Sequence, residues 1–132
     1  MNGFVLLIIL SLVFPDSSYA GAAKEEYELK EHCKRSAAEF VREKYKDWMG
    51  AVDFTNHFNR KLNKCFVNAT FVYGGIRAGE TDKCLWDINE NKRYGEYVPL
   101  MDRSGPLVCE MLGKRCNSES EWNSLVKPYM EE

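Results

Sequence analysis

The strongest constraint on the fold is a change of hydrophobic period at Gly50. Before it, Leu29, Cys33, Ala37, Phe40, Val41, Tyr45 and Trp48 recur at steps of three and four, with Lys, Glu and Arg between them. That spacing predicts one amphipathic helix over Lys24–Met49. Gly50 is a natural stop, and Lys44 and Lys46 suit the negative end of the helix dipole. After Gly50, Val52, Phe54, Asn56 and Phe58 alternate with Asp53, Thr55 and His57. Cys65, Val67, Ala69, Phe71 and Tyr73 then alternate with Phe66, Asn68, Thr70 and Val72. Period-two alternation predicts strands, with polar Asn59–Asn63 as the hairpin loop between them. Shorter runs at Cys84–Ile88, Tyr94–Val98 and Leu107–Met111 are separated by Gly74 and Gly75, by the Asn89–Lys92 turn and by Pro99. Ser118 with Glu121 forms a capping box for a last helix, with Trp122, Leu125, Val126 and Tyr129 on one face. Pro128 is expected to end or kink it. The fold class is therefore α+β: an N-terminal helix, an antiparallel sheet of four or five strands and a short C-terminal helix, with no internal repeat or linker.

The N-terminus carries an address. Phe4–Phe14 is an uncharged apolar run, followed by Pro15 and the polar Asp16, Ser17 and Ser18. It is about half the roughly 20 apolar residues that a membrane-spanning helix needs. Ser18 and Ala20 fit the small-residue positions of a cleavage site, so residues 1–20 read as a signal peptide cut after Ala20. Met1, Asn2 and Gly3 add no Lys or Arg, leaving the terminal amine as the only positive charge ahead of the run. The remainder, 21–132, is one small domain with no transmembrane segment, placed in a secreted or periplasmic location.

All five cysteines lie after the cut, in a compartment where disulfides form by default. An odd count leaves a remainder, and about fifteen two-disulfide frameworks are possible. Cys109 and Cys116 flank a Gly-containing turn and can meet cheaply. Cys33 on the helix can staple to Cys65 at the start of the second strand. Cys84 is then the free thiol: a buried inert group, an intermolecular bridge or a reactive residue.

Chemistry is harder to find. A formal charge of -2 leaves no basic footprint for nucleic acid. There is no C-x-x-C redox motif, no spacing of His32, Cys33 and His57 that matches a zinc site, and no cofactor-binding motif. Cys84 or Cys65 with His57 supplies the residue types of a cysteine hydrolase without a local signature. Asp87, Glu90 and Glu96 are acids of turns and edges rather than a glycosidase pair. The segment containing Asn56, His57, Asn59 and Arg60 is dense in donors and acceptors and suits a carbohydrate or peptide, although Asn also serves turns through its own backbone. Tyr94, Tyr97 and Tyr129 are candidates for an exposed interaction surface. Asn68, Ala69 and Thr70 match a glycosylation sequon.

The block Asn56–Phe66 (NHFNRKLNKCF), the stretch Asn91–Tyr94 and the ending Glu121–Met130 (EWNSLVKPYM) resemble a family of small secreted or periplasmic bacterial proteins with no known activity. The resemblance implies a bacterial envelope or extracellular location, which makes the sequon irrelevant, and it supplies no catalytic residue or ligand. The resulting expectation is a non-enzymatic binding module of the envelope whose partner is an envelope protein or glycan. The alternative is a small envelope enzyme or thiol-active protein using Cys84 or His57.

Overall fold

A computed structural model describes residues 17–131 apart from 103. Residues 1–16 of the expected signal peptide lie outside the described residues. The element order is α1 (Ser17–Lys44), β1 (Ala51–Asn59), β2 (Lys64–Val72), β3 (Thr81–Asp87), β4 (Lys92–Pro99), β5 (Pro106–Met111), β6 (Lys114–Arg115) and α2 (Glu119–Met130). The strands form a six-stranded sheet in the order of the chain, antiparallel at every step. The α+β architecture is as the periodicity predicts. The extra strand, β6, returns after a two-residue turn in which Leu112 and Gly113 both have positive φ, the geometry that matches strand twist in tight hairpins.

The two helices lie on opposite faces of the sheet. Ala37 and Val41 of α1 pack on Val67, Ala69 and Phe71 of β2. Trp122 and Val126 of α2 pack on Phe66 of β2 and Leu85 of β3. Because successive strand residues point to opposite faces, β2 buries both sets, and Cys65, Phe66 and Val67 are buried in succession. Two disulfides brace the fold. Cys33–Cys65 joins α1 to β2, and Cys109–Cys116 closes the β5–β6 hairpin, with Cα separations of 5.4 and 5.0 Å.

Three local expectations are corrected. The first helix ends at Lys44 rather than Met49, because Tyr45 and Trp48 leave the helix line to set their rings against Phe71, with centroids 4.8 and 5.1 Å away. Gly50 serves close approach: a Cβ there would stand 2.8 Å from the Val72 carbonyl oxygen. Pro128 does not end α2, which continues to Met130. Pro128 falls in the last turn, where its missing N–H removes one helical bond. Its carbonyl accepts a hydrogen bond from Asn59 Nδ2 at 2.9 Å. Finally, β3 begins at Thr81, because the polar residues ahead of Cys84 also pair, Lys83 with both Thr70 and Tyr97.

A bulge in β4 decides what the α2 face receives. Leu85 stands opposite Gly95 but Trp86 stands opposite Arg93, so Tyr94 is the extra residue. Tyr94 lies against Phe66 and Tyr129 with ring centroids 5.3 and 5.4 Å away. Gly95 is required there, because a Cβ would come within 2.3 Å of the Glu110 carbonyl oxygen.

Candidate functional site

The candidate binding residues do not converge. Asn56 shares the α1 face with Val67, and its Nδ2 reaches the Cys33 sulfur at 3.7 Å. His57 stands opposite Phe66 on the α2 face, with its Nε2 buried and unpartnered. Asn59 is a correction: at 1% exposure it presents nothing to a ligand. Its Nδ2 donates to the Pro128 carbonyl, and its Oδ1 accepts from the Leu62 backbone N–H at 3.0 Å, so it closes the β1–β2 turn and ties down α2. Arg60 is exposed and ion-paired to Glu26 at 3.3 Å. Tyr97, expected on an exposed tyrosine surface, is a core residue with 7% exposure. Its position opposite Lys83 and Cys109 turns it under α2 beside Trp122.

Tyr94 belongs to a structural network instead. Asp87 is fully buried. Its Oδ1 accepts from the backbone N–H groups of Asn89 and Glu90 at 3.0 and 3.2 Å. Its Oδ2 accepts from Lys64 Nζ at 2.6 Å and the Tyr94 hydroxyl at 3.2 Å. Lys64 also reaches Glu90 at 2.7 Å, and its hydrogen bonds to Asp87 and Glu90 hold the ammonium group's pKa above its ordinary value. Every lone pair in reach is used, which suits a lock on the β3–β4 turn. Cys84 and His57 stand on opposite faces of the sheet, Cys84 packing with the α1-side cluster and His57 opposite Phe66, so they cannot form a dyad. Cys65 is consumed by its disulfide.

A different set of residues makes a concave site on the α1 face. The α1 helix packs over β1 and β2, and its continuation through Tyr45 and Trp48 forms one wall of a groove over β3 and β4. The groove holds about 230 Å³ and is lined by the aromatic rings of Tyr45, Trp48, Phe71, Tyr73 and Trp86. Trp48 and Tyr73 also line an adjoining hollow of about 500 Å³ beside Met49 and Gly50. Met49 and Ile76 stand almost wholly exposed, the first on the hollow's margin and the second next to its Gly74–Gly75 side.

Charged groups around the groove are held in pairs. Tyr73 donates its hydroxyl hydrogen to Asp82. Arg77 reaches Asp82 at 3.3 Å and Glu80 at 2.6 Å, with its guanidinium 3.7 Å from the Tyr73 ring centroid. Arg93 pairs with Glu96 at 2.6 Å. Cys84 lies among them, half-buried. Burial, with the Glu96 and Asp82 carboxylates adding to it and Arg93 opposing, pushes its thiol up to about 11, so the thiolate needed for attack is scarce at neutral pH. Burial, followed by the proximity of Cys84, raises the Tyr45 phenol to about 12.

A second hollow of about 400 Å³ lies near the start of α2, bordered by Glu80 and Tyr97. Glu80 is committed to Arg77 and Tyr97 to the core. Among the described residues no cluster of His, Cys, Asp or Glu could hold a metal ion, and no helix is long and apolar enough to cross a membrane.

Comparison of the chain with protein-family models, curated proteins and solved structures finds no match.

Periodicity alone places the groove residues on core stripes. One signal did point to them: Cys84 and Trp86 share a strand face, and Tyr45 and Trp48 end the helical stripe where the chain must turn. What periodicity does not reveal is that α1 reaches β3 only through Phe40 and Lys44 at Trp86, leaving that side partly open.

Proposed function

We propose that the chain is an exported, non-enzymatic binding module of the bacterial envelope, with the aromatic groove on the α1 face as its recognition surface. The observation that carries this is the groove itself: five rings from three separate regions of the chain around one open hollow, with paired charges at the edge. Concave sites lined by apolar and aromatic groups with a few fixed polar ones are the common form of ligand sites. The export reading rests on the apolar run and small residues before Gly21 and on the family resemblance, and two disulfides agree with an oxidising compartment. Cleavage after Ala20 removes only the first turn of α1.

Cys84 provides the test, because it lines the groove and is the one unpaired cysteine among the described residues. Mature protein is treated with N-ethylmaleimide in the presence of envelope extract separated into protein, glycan and small-molecule fractions. At least one fraction should slow Cys84 labelling saturably. If no fraction slows it while the native fold persists by circular dichroism, the groove is not a recognition surface.

A further inference from the structure

We propose that the free edge of β1 is the seam of a two-fold dimer, in which β1 pairs antiparallel with β1 of a second copy and the two sheets become one. The seam is separate from the groove, which lies over β3 and β4.

β1 is the long edge of the sheet, nine residues against the two of β6 at the other edge. Cys65 shows which backbone groups that edge leaves unpaired. Its carbonyl accepts from the Ile88 N–H and its own N–H donates to Asn89 Oδ1, so Cys65 and every second residue of β2 turn toward β3. The residues between them turn toward β1. Phe66 stands opposite His57 and Thr70 opposite Asp53, so the odd-numbered residues of β1 bond to β2. Val52, Phe54, Asn56 and Phe58 therefore send their N–H and C=O groups outward. The Phe54 N–H agrees, donating to the Asp53 carboxylate at 2.9 Å. Such a row of groups is a template for another strand.

The edge is complementary to itself. A two-fold axis at Thr55 pairs all nine residues, with Ala51 at one end opposite the partner's Asn59. Asp53 then stands opposite the partner's His57, twice, and no like charges meet. His57 Nε2 is buried and without a partner, which leaves Nδ1 to donate to the partner's Asp53. Turning to that donor, the Asp53 carboxylate releases the Phe54 N–H for the seam. Thr55 meets its own copy, and Val52 lies opposite the partner's Phe58. Cross-strand pairs of these kinds stabilise antiparallel sheets.

The path of α1 fits the same axis. Cys33 is bonded to Cys65 of β2 with Asn56 of β1 at its sulfur, and Phe40 and Lys44 reach Trp86 of β3. The helix thus crosses the strands, and its earlier half heads past β1, where Glu26 meets Arg60. That half, Gly21–His32, spans roughly 18 Å and is exposed except at Glu26 and Glu31, which are half-buried. Paired residues share a face, so the axis keeps both helices on one side of the joined sheet. Each overhangs the Ala51–Phe54 end of the partner's β1, the end its own helix does not reach, and brings the exposed Tyr27 and Leu29 toward it.

The experiment uses the mature protein. Sedimentation equilibrium of the wild type over a concentration series should rise from the mass of one chain to that of two. Thr55 is exposed, so Thr55→Lys should keep the native circular dichroism spectrum while setting two ammonium groups together at the axis, and the mass should stay at one chain. Thr55→Cys should link two chains under mild oxidation, because a non-hydrogen-bonded antiparallel pair holds its Cα atoms about 4.5 Å apart, within disulfide reach. Ala51→Cys, whose two copies lie at opposite ends of the seam, should not link. Non-reducing peptide maps separate a bond at the substituted position from one through Cys84. A wild type that stays at one chain's mass overturns the proposal. A dimer that persists in Thr55→Lys, or Thr55→Cys linking no faster than Ala51→Cys, overturns it as well, because the copies then meet elsewhere.

Discussion

Asp87 and Cys84 both lie on β3 and are withdrawn from water, Asp87 wholly and Cys84 in part. Asp87 is surrounded by donors, two backbone N–H groups, an ammonium and a phenol. Replacing it with Ala leaves those donors without their acceptor, so Asp87→Ala should lower the unfolding free energy by about 2 to 4 kcal/mol, measured by urea denaturation. An unchanged midpoint would remove the turn lock from the account. Burial of Cys84, opposed by Arg93 and helped by the Glu96 and Asp82 carboxylates, makes the native fold favour its protonated form. The folded thiol titrates near 11 against an ordinary value of 9.0. Its contribution to stability is therefore full below about pH 9 and is lost as pH rises toward 11, because only the unfolded chain has released its proton in that window. Cys84→Ala should remove that part of the alkaline decline, and N-ethylmaleimide labelling of the native protein should accelerate steadily with pH up to about 11. A labelling rate that levels off near pH 8 would contradict this environment.

At the level of elements, the two helices and the first five strands were legible because each turns one side toward a packed face, whereas β6, exposed at both residues, was not. The helical stripe ending at Tyr45 and Trp48 and the alternation through β1 and β2 follow from burial against the sheet and from nothing else. The two disulfides were legible for a related reason: a tight turn brings Cys109 to Cys116, and the buried stripe turns Cys33 toward the sheet. The candidate site was less legible. Tyr97 reads as an interface residue by type, yet its partners Lys83 and Cys109 place it beneath α2. The β4 bulge is invisible to alternation, although it sets which way Tyr94 points. Gly95 marks the bulge physically, and Gly95→Ala should cost about 2 kcal/mol or more in urea unfolding, since a Cβ would strike backbone rather than a movable side chain. The disulfides differ by loop length. Losing Cys33–Cys65, with a sequence separation of 32, should cost about 3 to 4 kcal/mol, and losing Cys109–Cys116, with a separation of 7, about 2 to 3. Paired Cys→Ala variants compared by urea denaturation check the order, which reverses if loop closure is not the dominant effect.

Across the whole molecule, the sheet divides the protein into two chemically distinct sides. The α2 side is closed by Trp122, Phe66 and the Tyr94–Tyr129 pair. The α1 side is only partly covered, and the uncovered part holds the aromatic groove and its paired charges. Binding is thus expected on one face alone, with the other face acting as an internal reference. Tryptophan reports on both: Trp48 and Trp86 line the groove, whereas Trp122 is fully buried on the far side. The most direct measurement is therefore a proton–nitrogen correlation spectrum of the mature protein, following the indole N–H signals of these tryptophans during titration with whichever envelope fraction protects Cys84. The account predicts saturable shifts of the Trp48 and Trp86 signals while that of Trp122 stays in place. A shift confined to Trp122, or a ligand that binds and moves neither groove signal, would contradict it.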